Sequence, residues 1–509
     1  MLSSQPVVTR PSPPLPSRSR LAAGIALAAA VSLFLPRLAP AQVPTFAPPV
    51  AVDPAVKTDS HSDELPRIAA GVAGVWVLVW QVVGAGDLGL GRDVDVVYSR
   101  SSDDGAHWTP PKPLSERFLS DRAEDRQPAL ATDGKGTWMV AWTSTQDLGA
   151  TSRRDRDIHY AVSTDNALTW SVPRALNSNA SLDWGDDDAP DVATDDSGRW
   201  VVVWQSGDSL GNTKGGDRDI LFATSTDAGS TWSPPDIVDA AARTDMAFDT
   251  SPRVAADATG TWLTAWSSGS AADDHAELRR GVLVARSVDG AATWGPPHSL
   301  SGASDDDRPD WGPRLAGNGR GEWVCAWSSS DDLGTSVGQD RDVLFARSSD
   351  GGRTWTSRAA LNREAAEDSG DDETPELAVD SAGNWVAVWT SWDKRGAARG
   401  ADADLLTAMS RDNGASWTHS YILNTNAKDD HGEDTTPSLA TDGSGLWIAA
   451  WASTETLGEV LGRDRDVLMA SGRFGFEIAG PPEPELRAGE QRDQFRQSKE
   501  RESATMKKR

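Results

Sequence analysis

Three arginines stand in equivalent places of a recurring pattern, since Arg67, Arg253 and Arg314 each directly follow one of its prolines. A guanidinium presents a rigid fork of N–H donors that grips a carboxylate through two parallel hydrogen bonds, so arginines converging on one point would make an anion clamp. The full series in this slot reads Arg67, Ala129, Asp191, Arg253, Arg314, Glu376 and Ser438. Variation in one slot of otherwise similar units is what a site gathered around an axis requires. Asp191 and Glu376 leave a second reading open, in which the arginines are paired with acids of their own ring.

Aspartates recur more regularly. Seven residues before each repeat proline stand Asp59, Asp121, Asp183, Asp245, Asp306, Asp368 and Asp430, and three before it Asp63, Asp125, Asp187, Asp249, Asp310, Asp372 and Asp434. A further pair occurs in six units, among them Asp93/Asp95 and Asp155/Asp157. Columns filled in every unit suit loop capping, with carboxylates bonded to backbone amides. Clustered carboxylates beside carbonyl oxygens also suit a hard cation such as Ca²⁺. Asp59, Asp63, Asp121, Asp125, Asp155 and Asp157 are the candidate calcium ligands; their spacing matches no EF-hand, and no other cofactor is implied.

The elements that must position these groups follow from the period. Prolines fall at Pro66, Pro128, Pro190, Pro252, Pro313, Pro375 and Pro437, spaced 62, 62, 62, 61, 62 and 62 residues apart. Ten residues after each comes a tryptophan (Trp76, Trp138, Trp200, Trp262, Trp323, Trp385, Trp447), and four later a second. A strict period of this length marks an array of like units. Within the second unit, Ala129–Thr132, Trp138–Trp142, Ile158–Val162 and Pro173–Leu176 read as four strands joined by turns and one longer loop, with both tryptophans on one face of their strand. Four short antiparallel strands per unit make a propeller blade, so the chain reads as all-β, a seven-bladed β-propeller spanning residues 42–476. The last unit lacks a fourth strand, whereas Thr45-Phe46-Ala47-Pro48-Pro49 lies 62 residues before the matching His107-Trp108-Thr109-Pro110-Pro111. The N-terminal strand is therefore expected to complete blade seven and close the ring.

With 76 acidic against 49 basic side chains and a net charge of −27, the chain repels nucleic acid and anionic membrane surfaces. Arg10, Arg18 and Arg20, the apolar run Leu21–Leu35 and Ala39-Pro40-Ala41 read as an export signal over residues 1–41. The mature chain is then expected to be secreted or periplasmic, without a membrane span, and monomeric. Residues 477–509, charged and without apolar periodicity, read as a solvated tail. The one cysteine, Cys325, stands in a strand slot held elsewhere by valine or alanine and is expected to be buried and inert.

Six units carry a turn of the form S-x-D-x-G-x-x-W, as in Ser101/Asp103/Gly105/Trp108, Ser225/Asp227/Gly229/Trp232, Ser348/Asp350/Gly352/Trp355 and Ser410/Asp412/Gly414/Trp417; Ala167 and Ala291 replace the glycine in the other two. This resembles the Asp box of sialidases and related propellers, where the turn is structural. Twenty of the 23 tryptophans fall in the three columns so defined and are expected in the core, whereas Trp184, Trp311 and Trp392 lie in loops. The resemblance implies an active face made by the loops between strands two and three and between blades, here densely acidic, and three arginines that hold a substrate carboxylate. Pro66-Arg67-Ile68 looks like the first-blade arginine motif, which makes Arg67, Arg253, Arg314 and Asp191 the candidate ligand-binding residues. It also implies a tyrosine nucleophile with acidic partners. Asp87, Asp93 and Glu376 are the candidates for acid roles. Tyr98 and Tyr160 occupy core slots, Tyr421 an outer strand, and the ring has seven blades where sialidases have six. The expected function is therefore binding of a glycan or protein on the acidic face. Sialidase-type exo-glycosidase action and a calcium-stabilised structural module of the cell envelope are the alternatives.

Overall fold

The computed structural model describes residues 45–53, 61–146, 155–180, 184–195, 197–210, 217–270, 280–302, 309–334, 336–393, 402–428, 431–457 and 464–473. The export signal, Asp59 and the C-terminal tail lie outside them. Seven four-stranded antiparallel sheets follow one another along the chain; in six the strands pair in chain order, and in the seventh Val50–Ala51 takes the edge beside Asp466–Arg473. Blade two runs Asp125–Thr132, Trp138–Ser144, Asp157–Ser163 and Arg174–Ala175. Its outer strand is shorter than the sequence suggests, because Pro173 has no N–H to contribute to the ladder.

The first strand of each blade begins three to five residues before the proline, where the sequence pattern places it after. It continues through a bulge, and the register skips between Arg126 and Ala129 in blade two and at the same place in the other six. The residue just before each proline is left-handed, with φ from +50° at Ala189 to +63° at Gly312. A residue preceding proline ordinarily stays extended, so these positions need an outside hold. The neighbouring blade supplies it. The Gln127 N–H donates to Gln81 Oε1 at 2.9 Å, Ser251 N–H to Gln205 Oε1 at 3.0 Å, and Thr374 N–H to Ser328 Oγ at 3.1 Å.

Between sheets the fill is aromatic. The paired tryptophans of strand two are buried in every blade, from Trp76 and Trp80 to Trp447 and Trp451. The Asp-box tryptophan of one blade meets the third strand of the preceding one edge-on. Tyr98 faces Trp170, Tyr160 faces Trp232, Phe222 faces Trp294 and Phe345 faces Trp417, with ring centroids 5.6–5.9 Å apart. The Asp boxes are structural turns. Ser225 Oγ donates to Asp227 Oδ1 and accepts the Gly229 N–H, while Asp227 Oδ1 accepts the Thr231 N–H. These donors hold the Asp227 carboxyl at about 2, and Asp103 behaves alike. Gly229 needs its φ of +79° and its missing side chain, since a Cβ there would lie 2.6 Å from Met139 of the neighbouring blade. Cys325 is fully buried in its strand, and burial pushes its thiol up.

The turn after strand one meets the Asp box, as in Asp104 N–H to Gly74 O, so the two share one face. The loop after strand two meets the blade-to-blade connection, as in Thr145 N–H to Glu124 O and Trp392 N–H to Asp371 O, so those share the other. Closure comes from Val50–Ala51, paired with Met469 and Leu468 of blade seven, and from buried Phe46, which bridges to Gly472. Replacing Phe46 with alanine should destabilise the fold by about 3–5 kcal/mol, and deleting residues 42–56 should open the ring; an unchanged melting temperature in both would show that closure lies elsewhere.

The aspartate three before each proline serves the core. Asp125 Oδ1 accepts the Trp142 indole N–H at 2.7 Å and Asp310 Oδ1 that of Trp327 at 3.1 Å. Burial outweighs the hydrogen bonds from Ser329, Ser301 and Trp327 and pushes the Asp310 carboxyl up to about 7. A folded-state value above the unfolded one means that the stability is fully present below the ordinary carboxylate range and is lost as pH rises through about 7. The melting temperature should therefore fall from about pH 4 to about pH 8, and Asp310→Asn, neutral throughout, should flatten that slope; an identical slope in the variant would remove Asp310 from the account.

Candidate functional site

The bulge fixes where the variable slot points. Arg67, Arg253 and Arg314, with the left-handed residues Leu65, Gln127 and Ser251, line one cavity of about 190 Å³ to which all seven blades contribute through the start of their first strands. Arg67 and Arg253 each donate from Nη1 to the carbonyl of their own proline, at 2.9 and 2.7 Å, which fixes the guanidinium plane. Arg314 does the same at 3.1 Å and also gives Nε to Glu376 Oε1 at 2.6 Å, an ion pair with about one-seventh of each side chain exposed (13% and 15%). Asp191 Oδ2 is occupied by the Val254 N–H at 2.8 Å. Among the described residues, neither Arg67 nor Arg253 forms an ion pair.

The electrostatics show an excess of cation. Burial, then the Arg314 charge, pulls Arg253 down to about 9, with Asp191 opposing. Burial likewise lowers Arg67, with Glu376 and Asp191 raising it and Arg314 lowering it. Asp191 is raised by burial and held back by Arg253. Three guanidinium groups face two carboxylates, so one more anionic oxygen pair would relieve the crowding.

The structure places the candidates for acid roles elsewhere or already in use. Glu376 is the partner of Arg314. Asp93 stands with Asp95 and Asp121 at the junction of blades one and two, not among the cavity residues. Asp87 lies in a short turn, Gly86–Leu88, and its side chain is outside the described residues. None of the three tyrosines lines the cavity: Tyr98 and Tyr160 are buried against Trp170 and Trp232, and Tyr421 sits on the outer strand Tyr421–Ile422.

The calcium candidates divide in the same way. Asp121 groups with Asp93 and Asp95, whereas Asp125 keeps one oxygen on Trp142. Asp63 has His61 3.4 Å away, and Asp157 receives a hydrogen bond from Asn177. Asp155 joins no such group among the described residues, and Asp183 lies outside them. Sequence reading overlooked the asparagines. Asn177, Asn362 and Asn424 each donate Nδ2 to the strand-three aspartate of their own blade and to the strand-one aspartate of the next, within 2.6–3.1 Å. Their 62-residue period was available as a signal, in the column Asp53, Ser115, Asn177, Asp239, Ser301, Asn362 and Asn424. Of the three tryptophans outside the columns, Trp184 is exposed, whereas Trp311 lies not in a loop but on the strand Asp310–Gly317, which starts ahead of the proline, with Arg341 over its ring at 4.8 Å.

A family model described as a BNR repeat-like domain matches residues 67–302, which is blades one to four. No curated protein matches the chain. Similar solved structures include a Dyadobacter fermentans protein of unknown function (12% identity, 85% of this chain and 99% of that one, TM-score 0.49) and a Hadza microbial sialidase (17%, 75% and 73%, 0.44). A polysaccharide lyase, an ulvan lyase, is similar at 12% identity over 83% of this chain and 93% of that one, TM-score 0.49. Four-stranded blades closed into a ring, with a recurring serine–aspartate turn in register, make this chain a seven-bladed β-propeller, whose first four blades match a BNR repeat-like domain.

Proposed function

We propose that this propeller binds, without hydrolysing it, a ligand that presents a single carboxylate on an otherwise uncharged body, best met by an acidic glycan. The observation that carries the reading is the pair Arg67 and Arg253, held toward the channel cavity by their own proline carbonyls and lacking ion-pair partners among the described residues. At about 190 Å³ the cavity is smaller than an ordinary small-molecule pocket, roughly 300–1,000 Å³, and suits one carboxylate and its immediate neighbours. The remainder of the ligand would lie over the loops of the face that the blade connections form. A net charge of −27 disfavours polyanions there, which is the reason for one acid group on a neutral body. Sialidase-type hydrolysis is disfavoured by the seats of the tyrosines, two packed in the core and one on an outer strand. The export pattern of residues 1–41 would put this binding outside the cytoplasm.

Screening the purified chain on a glycan array, beside a fluorogenic sialic acid glycoside, tests this. Acidic glycans should be retained and no turnover seen, and Arg67→Gln and Arg253→Gln should each weaken binding about 10- to 100-fold, the worth of a charged hydrogen bond. Turnover abolished by Arg67→Ala would replace the reading with glycosidase action. Binding that ignores the carboxylate would remove the arginines from the site.

A further inference from the structure

Among the six junctions that carry the strand-three aspartate pair, the one between blades one and two alone lacks both of the compensating residues found at the others. In four blades the strand-three aspartate pair encloses an arginine, Arg156, Arg218, Arg341 or Arg465, and in three an asparagine ties that pair to the next blade. Arg156 reaches Asp186 and Asp188 of the next blade at 2.7 and 3.0 Å, and Arg341 reaches Asp371 and Glu373. Blade one has Val94 in the arginine place and Ser115 in the asparagine place. Both are buried, and the Ser115 hydroxyl is engaged with the Arg117 N–H. The positive charge and the carboxamide donor are missing together.

What remains is an acidic group without local compensation. Single carboxylate oxygens of Asp93, Asp95 and Asp121 lie within 4.8 Å of one another. Asp95 is only 1% exposed, and both of its oxygens are buried with no hydrogen-bond partner. Asp93 Oδ2, Asp121 Oδ1 and Asp125 Oδ2 are also buried without one. The second oxygen of Asp121 accepts from Gln146 Nε2, which leaves Gln146 Oε1 buried and unbonded beside the group. Buried carboxylates are ordinarily hydrogen-bonded, paired or on a metal, and Asp95 has neither of the first two. Burial, reinforced by Asp93, Asp125 and Asp121, pushes the Asp95 carboxyl up to about 8, which is the same frustration seen from the proton's side.

We propose that Asp93, Asp95 and Asp121 hold one divalent cation of the Ca²⁺ type between blades one and two. All the donors on offer are hard oxygens, with no histidine or cysteine in the group, which favours calcium or magnesium over zinc or copper. The cation supplies locally the compensation that the asparagine gives the matching aspartates at other junctions, and it ties the loop that carries Asp121 to the start of the third strand. Two similar groups, Asp217/Asp219/Asp245 and Asp340/Asp342/Asp368, each include an arginine between their paired aspartates, and the second also has Asn362. This site is separate from the arginine cavity and does not depend on what that cavity binds.

Isothermal titration of the EDTA-treated chain with CaCl₂, taken through about 10⁻³ M, the weaker end for extracellular calcium modules, tests the assignment. Wild type should bind calcium and melt at a higher temperature with it. Asp95→Asn, which is close in shape, should bind one calcium fewer and lose most of that thermal shift. Asp93→Asn, at a partly exposed position, repeats the test should the first variant fold poorly, with the near-ultraviolet spectrum of the tryptophans reporting an intact core. No calcium binding by wild type, or an equal number of ions bound by wild type and both folded variants, overturns the proposal and leaves Asp95 as a buried protonated acid.

Discussion

The wedge between neighbouring sheets is the constraint on which the rest of this structure depends. Sheets arranged around an axis diverge from centre to rim, and the gap must be filled to the density of a protein interior. Here tryptophan fills it, with two from strand two and one from the Asp box in nearly every blade, and the ring edges meet the third-strand aromatic of the preceding blade at 5.6–5.9 Å. A large rigid side chain sets the angle between blades more firmly than several small ones, because it has few rotamers to lose and nowhere to collapse. The remaining features answer needs that the wedge creates. Two of the indole N–H groups buried in the wedge, those of Trp142 and Trp327, take aspartate acceptors, and the Asp-box glycine lets one turn lie against the next sheet without a clash.

That constraint explains why so much of the fold was legible in the sequence. A tryptophan ten residues after a proline, repeated at an interval that varies by one residue in seven copies, leaves no room for a different number of blades. Even the closing strand could be found, because Phe46 lies one full period before Trp108. The bulge was not legible. Proline normally argues against strand interior, and nothing local reveals that Gln81 and Gln205 reach across from the adjacent blade to hold a left-handed residue in front of it. Such contacts join positions 46 residues apart, and pattern within one blade does not contain them.

The site was legible in its membership more than in its state. The slot after the proline identified Arg67, Arg253 and Arg314, and the structure brings them to one cavity. It could not reveal that Glu376 is spent on Arg314 while Asp191 is spent on a backbone amide, because that depends on which neighbours lie in reach across the channel. Nor could the acidic columns be sorted from sequence. The aspartates at 125 and 310 serve buried indoles, whereas Asp93, Asp95 and Asp121 converge, and only burial and partner geometry distinguish the two uses.

Symmetry then becomes an instrument for finding function. In a ring of near-identical blades, each column defines by repetition what the fold needs at that position, and a departure matters when it leaves a charge unbalanced. Val94 and Ser115 are unremarkable residues by type; they acquire meaning because their counterparts are an arginine that pairs with acids of the next blade and an asparagine that donates to the matching carboxylates. The arginine ring follows the same logic inverted, with one cation more than its carboxylates where paired charges would suffice for folding. An excess negative group at the blade junction and an excess positive group on the axis are opposite violations of one rule, that buried charge is matched locally. A fold with no use for either would be more stable with each replaced by apolar side chains, so both departures point outward, to ions or ligands that complete them.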